Sequence, residues 1–374
     1  MRLSWWRLAT AVLACCAAAS GAEYLVYAGG YTRGASHGIY AYRFDTRTGK
    51  MRALGLEAEV SNPSFLIEHP DHRFLYAVSE DAAGMASAYL IDPKSGKLSL
   101  VNRVSSKGDG PCHLALDREA RWLAVANYNS GSVSVLPLRK DGGLGEAAAF
   151  VQHTGTGVNP KRQAGPHAHA VVFSPDNRYL LAADLGADRI FVYRFDAETG
   201  ALRPAETPSV AVTPGSGVRH LVFHPNGKVL YAVNELASTV TAWLWDAAAG
   251  RLAELQTVSS LPPGYTGPNT AAEIGVNGAA TMVYASNRGC DCLALLVVDP
   301  VRFTLSALEF TPLIGQTPRH FALGPTGAYL LVANQGSGSL TVYTVHPRTG
   351  QIRPVGHPVT GVAMPSVVVF VKAE

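Results

Sequence analysis

The sequence predicts an all-β protein, a seven-bladed β-propeller of four-stranded antiparallel blades. Three observations predict it: a repeated strand-turn-strand unit, a period close to 50 residues, and incomplete units at the two ends of the chain. Repeats of this length with four short strands each are typical of propeller blades. The length of 374 residues would otherwise indicate two domains. A closed ring makes one domain of nearly the whole chain.

The repeated unit is an apolar strand, a turn containing Pro, Gly or Asp, and a second apolar strand that ends in a small polar residue. Copies span residues 63–79, 111–127, 166–184, 218–234 and 318–334, with a weaker copy at 272–287. The ends of the second strands are spaced by 47 to 57 residues. A third and a fourth strand follow each copy. Apolar alternation between such turns predicts hairpins rather than helices.

The two ends of the chain complement each other. Residues 24–54 supply outer strands without an inner one, and residues 365–370 supply an inner strand without outer ones. We expect them to pair as the seventh blade. This pairing closes the ring and removes free sheet edges.

The first 22 residues are predicted to be a signal peptide. Arg2 and Arg7 precede a short apolar stretch over residues 8–19, and small residues follow at 20–22. This arrangement is typical of secretory signals. We therefore expect a propeller domain over residues 23–374 and a periplasmic or secreted protein.

Composition argues against several classes of protein. The net charge is only +3, without a basic stripe, so no nucleic-acid partner is expected. No run of 20 apolar residues follows the leader, so no membrane partner is expected after its cleavage.

We predict a monomer that binds a small molecule, with no metal and no cofactor. Cys290 and Cys292 are two positions apart, which is poor geometry for a disulfide between alternating strand positions. Cys112 is predicted to be packed and inert.

The propeller topology predicts where polar side chains meet. Inner strands line the axis, and the second strand of each blade runs antiparallel to the first. The starts of first strands and the ends of second strands therefore lie on the same face, at the axial mouth. An Asn or Asp recurs at the end of the second strand in most units, as at Asn127, Asp184 and Asn234. This recurrence indicates that these side chains cap turns. Features that break the repeat indicate function: Arg219, Glu235, Glu273, Arg288 and Arg319.

Motifs along the chain resemble one known family. They are GGYT at 29–32, NPSF at 62–65, GPCH at 110–113, NYNSGSV at 127–133, GPHAH at 165–169, DLG at 184–186, RH at 219–220, NE at 234–235, NTAAEI at 269–274, SNR at 286–288 and PRH at 318–320. In this order they resemble the seven-bladed propeller lactonases of the 6-phosphogluconolactonase type, which are related to carboxymuconate cycloisomerase. One departure lies at residues 275–281, where the sequence GVNGAAT replaces the family's usual turn. The inner strand of the fifth repeat is therefore expected to be altered.

The resemblance implies lactone chemistry by a His, Arg and Glu cluster. Lactone hydrolysis needs an activated water, a stabilised oxyanion and a proton for the leaving ring oxygen. We predict His167 or His169 as general acid/base, Glu235 as base or orienting group, and Arg219 as electrophilic stabiliser. The predicted substrate-binding residues are His113, His220, Glu273, Asn287, Arg288, Arg319, His320 and Asn334, with Arg288, Arg319 and His320 at the anionic end of the substrate.

Two other functions are kept as alternatives. One is a non-enzymatic exported propeller that binds a ligand, because fold alone does not determine function. The other is a cycloisomerase of the muconate type, which would use the same cluster. Lys161 and Arg162, before the GPHAH motif, are predicted to lie in a solvated loop, and the alternative is that they reach over the mouth and attract an anion. The sequence leaves open which lactone is used and whether it carries a phosphate.

Overall fold

A computed structural model describes residues 23–374, so the predicted signal peptide lies outside the described residues. The described chain is built from 28 strands and short turns. In chain order the strands are β1 (Glu23–Gly30), β2 (Gly38–Asp45), β3 (Lys50–Glu59), β4 (Leu66–Glu68), β5 (Phe74–Ser79), β6 (Met85–Ile91), β7 (Leu98–Ser105), β8 (Pro111–Leu116), β9 (Trp122–Asn127), β10 (Ser132–Pro137), β11 (Ala149–Gln152), β12 (Ala168–Phe173), β13 (Tyr179–Asp184), β14 (Arg189–Phe195), β15 (Leu202–Ala211), β16 (Val218–Phe223), β17 (Val229–Asn234), β18 (Thr239–Asp246), β19 (Arg251–Ser259), β20 (Thr270–Val276), β21 (Met282–Arg288), β22 (Cys292–Val298), β23 (Leu305–Pro312), β24 (Pro318–Leu323), β25 (Tyr329–Asn334), β26 (Ser339–Val345), β27 (Ile352–Thr360) and β28 (Pro365–Lys372).

The strands form seven antiparallel sheets of four strands, which confirms the predicted fold. Blade 1 has the order β28-β1-β2-β3, so the last strand of the chain is its inner strand. Its register runs from Tyr24 opposite Lys372 to Gly30 opposite Pro365. Blades 2 to 7 follow in sequence, each with its first strand innermost. The pairing of the two chain ends closes the ring as predicted.

Second strands are almost entirely buried and mainly apolar up to their polar ends, because both of their faces are covered by neighbouring blades. In β5, Phe74 and Tyr76 pack into the core shared with blade 3. Leu75 and Ala77, pointing the other way, pack into the core shared with blade 1. Alternate residues of a strand face opposite sides. One strand therefore contributes to two cores, and burial of apolar area joins the blades.

A tyrosine hydroxyl also joins several neighbouring blades. Tyr27 donates to the carbonyl of Gly96 at 2.9 Å, and Tyr284 donates to the carbonyl of Gly350 at 2.8 Å. Each acceptor lies in the turn between the third and fourth strands of the next blade. Gly350 has φ +71°, and a Cβ there would approach the Tyr284 hydroxyl to 2.8 Å. Glycine is thus required by the turn and by the close approach of the ring.

The polar residues that end the second strands bind neighbouring turns, as predicted for Asn127, Asp184 and Asn234. The Asn127 side-chain amide donates to the Ser106 carbonyl and to the Ser132 hydroxyl. One Asp184 carboxylate oxygen accepts the backbone N–H of His167 at 2.7 Å. These contacts satisfy buried polar groups between blades.

The expected alteration of the fifth repeat leaves blade 6 intact. β20 and β21 pair over this unit, and the four-stranded sheet is complete. Asn277 stabilises the altered turn. Its side-chain oxygen accepts the backbone N–H groups of Thr281 and Met282 at 2.8 and 2.9 Å. An Asn side chain can cap a tight turn in this way. Across residues 23–374 there is no helix of the length and hydropathy needed to cross a membrane.

Candidate active site

Bulges at the starts of the inner strands direct side chains toward the axis. In β8 the register passes from Pro111 to His113, which leaves Cys112 unpaired. The same shift occurs in β12, β16 and β24. There it leaves His169, Arg219 and Arg319 unpaired. A bulge inserts one extra residue and re-aims its side chain. The repeat thereby presents a cysteine, a histidine and two arginines at equivalent positions.

A polar cavity of about 350 Å³ lies at this end of the axis. Residues from inner-strand starts, second-strand ends and one loop line it. They are Tyr31, Glu80, Cys112, Tyr128, Arg162, His169, Glu235, Thr270, Arg288 and Arg319. The two sets of motifs therefore meet as the topology predicts. The wall has three arginines and two glutamates, so it suits an oxygen-rich ligand.

Glu235 is the centre of the charged network. One carboxylate oxygen lies 2.7 Å from Nη2 of Arg162. The other lies 3.0 Å from Nε of Arg219 and 2.9 Å from Nη2 of Arg288. Burial opposes ionisation of this carboxyl, but the three arginines outweigh it and hold its pKa well below the usual range. Glu235 is therefore a firmly ionised anchor for arginines and a weak proton acceptor.

The predicted arginines occupy different depths. Arg219 is buried under the cavity wall, and its Nη1 donates to the Ala272 carbonyl at 2.6 Å. Arg288 reaches the wall, donates to the Ala271 carbonyl at 2.9 Å, and keeps a buried Nε without a partner among residues 23–374. Burial lowers the pKa of Arg288 to about 10. Arg219 thus holds Glu235, while Arg288 is exposed to a ligand.

Arg319 lines the cavity from blade 7, next to the blade that carries Arg288. Its Nη2 donates to the Tyr31 hydroxyl at 3.0 Å, and its guanidinium lies 5.4 Å from the centre of the Tyr31 ring. Tyr31 in turn donates to both carboxylate oxygens of Glu80, each at 3.0 Å. These three residues form a second polar cluster, separate from the network around Glu235.

Of the two candidate histidines, only His169 lines the cavity. Its Nε2 lies 4.0 Å from Glu235, and its Nδ1 lies 3.9 Å from the Cys112 sulfur. Burial, followed by the nearby Arg219, lowers the pKa of His169 well below its ordinary 6.5. The imidazole is neutral at pH 7. Neutral imidazole can donate or accept a hydrogen bond but is a weak general base here.

His167 does not share the position of His169. It precedes β12, and the bulge at His169 interrupts the strand alternation that would otherwise place both histidines on the same side. Its Nδ1 donates to the Tyr128 carbonyl at 2.9 Å, and its ring stacks on Tyr128 with centres 4.5 Å apart. His167 packs behind Tyr128 and is absent from the cavity lining.

Four predicted binding residues form a layer below the cavity. Nδ1 of His220 lies 3.1 Å from Glu273, and Nε2 of His320 lies 3.4 Å from the same carboxylate. His113 stacks on Phe65 with ring centres 4.2 Å apart. Burial raises the pKa of Glu273 and lowers that of His113 and His220. This layer separates the polar cavity from a mainly apolar cavity of about 660 Å³ farther along the axis.

Asn287 and Asn334 are also placed away from the cavity lining. The Asn287 amide nitrogen donates to the Ser260 carbonyl at 2.7 Å, and its oxygen accepts from the Ser260 hydroxyl at 2.8 Å. The Asn334 amide donates to the Ile314 carbonyl and to the Thr341 hydroxyl. Both asparagines are fully buried. We assign them to the same capping role as Asn127.

Sequence reasoning did not select several lining residues. Arg162 was predicted to be solvated, yet it reaches over the mouth to Glu235 and to the Tyr128 hydroxyl. Tyr31 and Tyr128 stand within the GGYT and NYNSGSV motifs, and Glu80 follows a second strand. These motifs and this strand end are the sequence features from which the three lining residues could have been found. Cys112 is neutral as well as buried, since burial raises the pKa of its thiol well above the usual range.

The expectation that Cys290 and Cys292 remain unbridged is wrong. They form a disulfide with their Cα atoms 5.2 Å apart. The expectation assumed a continuous strand, but β21 ends at Arg288 and β22 begins at Cys292. Cys290 therefore lies in the turn, where Gly289 and Asp291 adopt positive φ and bend the chain back. The bridge lies in the loop that follows Arg288.

No group of three or more His, Cys, Asp or Glu side chains in residues 23–374 is arranged to hold a metal ion. The cavity supplies guanidinium, carboxylate, imidazole and phenol groups. These groups can orient a hydroxylated ligand, stabilise an oxyanion and transfer protons.

A closed seven-bladed propeller with this arginine and glutamate cavity on its axis is the architecture of a lactonase. Residues 25–370 match the model of the lactonase, 7-bladed beta-propeller family, and the chain belongs to that family. It is 34% identical over 331 residues to a 6-phosphogluconolactonase of Bacillus subtilis, covering 88% of this chain and 93% of the relative. A 6-phosphogluconolactonase of Formosa agariphila is 32% identical over 325 residues, covering 84% and 90%.

A solved structure is similar over almost the full length. The periplasmic gluconolactonase of Pseudomonas aeruginosa superimposes with a TM-score of 0.89 at 38% identity, covering 94% of this chain and 100% of that one. The chain is therefore a lactone-hydrolysing carboxylic-ester hydrolase that acts on a small lactone. The alternative of a non-enzymatic propeller is set aside.

Proposed function

We propose that the protein hydrolyses the lactone of a non-phosphorylated sugar acid, of the glucono-1,5-lactone type, in the axial cavity. The observation that carries this proposal is the pairing of the arginines. Arg162 and Arg288 both contact Glu235. Within residues 23–374, Arg319 is the cavity arginine with no carboxylate at ion-pair distance. A phosphate dianion is best bound by several uncompensated donors, whereas hydroxyl groups can bind to paired arginines and carboxylates.

The cavity offers the groups that the reaction needs at the carbonyl. Arg288 and Arg319 line the cavity from the adjacent blades 6 and 7 and can donate to the oxygen that becomes negative as water adds. Preorganised donors of this kind are among the largest contributions to catalysis. Neutral His169 can donate a hydrogen bond to the ring oxygen as the C–O bond breaks, without first having to be protonated.

Glu235 and Arg219 are proposed as positioning residues. Arg219 is buried below the wall and contacts Glu235, and Glu235 holds Arg288 and Arg162 in place. His113, His220, Glu273 and His320 are proposed to support the floor rather than to touch the lactone. His167 is proposed to support Tyr128. These assignments replace the roles expected from the sequence.

A 6-phosphorylated lactone is the second candidate, because Arg319 lacks a carboxylate partner and the Bacillus subtilis relative is a 6-phosphogluconolactonase. A muconate-type cyclisation in the same cavity is less favoured, since the relatives and the solved neighbour are lactonases. We propose cleavage of residues 1–22 and a soluble monomer in the periplasm, with no nucleic-acid or membrane partner. The name of the Pseudomonas aeruginosa neighbour supports this compartment.

The test is a pH-indicator assay of the mature protein with glucono-1,5-lactone, its 6-phosphate and γ-butyrolactone. Spontaneous hydrolysis is subtracted from each rate. We expect the highest kcat/KM with the non-phosphorylated sugar lactone. A clear preference for the 6-phosphate, lost in Arg319→Ala, would overturn the proposed substrate. Absence of turnover on all three would overturn hydrolysis of these lactones, and incubation with a muconate would then test cyclisation.

A further inference from the structure

We propose that Glu80 is the general base that activates the hydrolytic water. This inference rests on the proposed lactone hydrolysis and goes beyond it by assigning the base. The sequence analysis did not place Glu80 among the catalytic residues. Its position on the cavity wall, its partners and its contrast with Glu235 together carry the assignment.

Glu80 is a cavity carboxylate without a cationic partner in contact. It directly follows β5 and lines the wall. Its side chain accepts the Tyr31 hydroxyl, and within residues 23–374 no Lys, Arg or His nitrogen lies at ion-pair distance. A carboxylate with one neutral donor keeps lone pairs free for a water molecule. Glu235 has both oxygens engaged by guanidinium groups.

The other titratable groups of the wall are poor bases at neutral pH. Burial lowers the pKa of His169 and raises that of the Cys112 thiol. Burial also raises the pKa of the Tyr31 and Tyr128 hydroxyls. These groups stay neutral, and the arginines stay charged. Glu80 is the remaining group on the wall that can both carry a negative charge and release its present partner.

The Tyr31 hydroxyl links the proposed base, Glu80, to the guanidinium of Arg319. Its hydroxyl accepts from Arg319 and donates to Glu80, each at 3.0 Å. The guanidinium and the carboxylate are therefore held on one phenol. A lactone whose carbonyl oxygen binds Arg319 presents its carbonyl carbon near Glu80. Proximity of this kind lowers the entropic part of the barrier. Tyr31 is thus a positioning residue for both groups.

The two glutamates lie on opposite sides of the axis. Glu80 follows the second strand of blade 2 and Glu235 that of blade 5, three blades apart in a ring of seven. A lactone between them has Glu80 on one side of the carbonyl. On the other side, Glu235 holds Arg288 and lies near His169. Glu80 can then activate the water and later protonate the ring oxygen, while His169 on the opposite wall donates a hydrogen bond to that oxygen.

The proton and electron pairs balance with water as the only co-reactant. Glu80 takes a proton from water as the water oxygen forms a bond to the carbonyl carbon, and the carbonyl π pair moves to the oxygen beside Arg319. When that pair returns, the bond from carbon to ring oxygen breaks. The protonated carboxyl of Glu80 then gives its proton to the ring oxygen. The product acid ionises to solvent.

Glu80→Gln tests the base with little change in shape, and Glu206→Gln on the exposed outer strand of blade 4 is the matched control. We expect Glu80→Gln to lower kcat by roughly 10²- to 10⁴-fold, the usual contribution of a general base. KM should change by less than about tenfold, because the arginines remain. The acid limb of the pH–kcat profile should disappear. The groups facing Glu80 are Tyr31, Arg319 and Cys112.

Chemical rescue separates catalysis from structure. Glu80→Ala leaves space for formate, which should restore part of the rate, whereas formate should leave Glu206→Ala unchanged. Retention of at least a third of wild-type kcat by folded Glu80→Gln, with the acid limb intact, would overturn the inference. So would loss of activity in Glu80→Ala without rescue by formate or recovery in Glu80→Asp. If wild-type protein hydrolyses no lactone, the proposed function fails first, and the two failures are distinguished.

Discussion

Each of the two walls of the axial cavity contains one glutamate, and the two glutamates differ in their charged partners. On the wall of blades 5 and 6, Glu235 is nearly buried, with 5% of its side chain exposed, and it contacts three arginines. On the wall of blades 1 and 2, Glu80 accepts one tyrosine hydroxyl. The same side chain is a structural anchor in the first place and the proposed base in the second. Charge pairing, rather than residue type, decides which role is available.

The difference also limits what can be read from a His, Arg and Glu cluster. The family resemblance points to His167 or His169 with Arg219 and Glu235, and the structure brings His169, but not His167, together with the other two. Their pairing makes this cluster a rigid support with a neutral imidazole. The less conspicuous Tyr31, Glu80 and Arg319 have the free donors and acceptors. Buried charges that compensate each other position ligands well but exchange protons poorly.

Replacing each glutamate by glutamine should give opposite signatures, and this is the largest effect we expect. Glu235→Gln leaves buried arginines without their counter-ion, which costs about 3–5 kcal/mol in the free energy of unfolding. Glu80→Gln keeps a hydrogen-bond partner for Tyr31 and should cost less than about 1.5 kcal/mol. Urea denaturation of both variants checks this. Equal destabilisation would break the comparison between the walls.

Arg319 and Arg162 should likewise differ in the kinetic parameter that their removal affects. Arg319→Ala removes the proposed oxyanion donor, which has no carboxylate partner within residues 23–374, so we expect kcat/KM to fall by roughly 10²- to 10³-fold with little loss of stability. The Arg162 side chain is 38% exposed. Its removal should cost less than about 1 kcal/mol of stability and raise KM more than it lowers kcat. Steady-state kinetics on a sugar lactone measure both. A larger kcat loss for Arg162→Ala would reverse the assignment.

Acid should destabilise the protein in two separate ranges of pH. His113, His169 and His220 have pKa values well below 6.5 in the folded state. The unfolded state binds more protons as the pH falls below 6.5, so the free energy of unfolding should fall there. The pKa of Glu235 is lowered from 4.5, so its contribution is present above pH 4.5 and lost below it.

Urea midpoints measured from pH 8 to pH 2 cover both ranges. In Glu235→Gln we expect the loss below pH 6.5 to persist and the loss below pH 4.5 to shrink. A wild-type midpoint that is unchanged between pH 8 and pH 5 would contradict neutral buried histidines.

The smallest effect should come from the Cys290–Cys292 bridge. It closes a loop of three residues, for which the chain-entropy treatment gives about 1.6 kcal/mol at most. The paired Ser variants should therefore fold, with a modest fall in melting temperature. The loop directly follows Arg288, and Asp291 within it accepts the Thr317 backbone N–H at 2.8 Å, two residues before Arg319. We expect a mild rise in KM on reduction. Complete loss of fold would show that the bridge organises more than this loop.

The fold could be predicted from the sequence because each blade is encoded locally. Alternating apolar residues and turn formers at a regular period specify hairpins, and the unmatched ends specify how the ring closes. The capping Asn127 and Asn234 were predictable for the same reason, since their partners lie within the same blade or the adjoining loop. A repeated sequence pattern therefore predicts hydrogen bonds between residues that are close in the sequence.

Which side chains share the cavity was decided only by the tertiary structure. Arg319 meets Tyr31 across 288 positions of sequence, and Arg162 meets Glu235 across 73. A one-residue bulge turns His169 to the axis and leaves His167 behind Tyr128. A disulfide forms where a turn replaces an assumed strand. The repeat determines where each blade places a residue. Ring closure, bulges and charge pairing determine what that residue touches and therefore what chemistry it can perform.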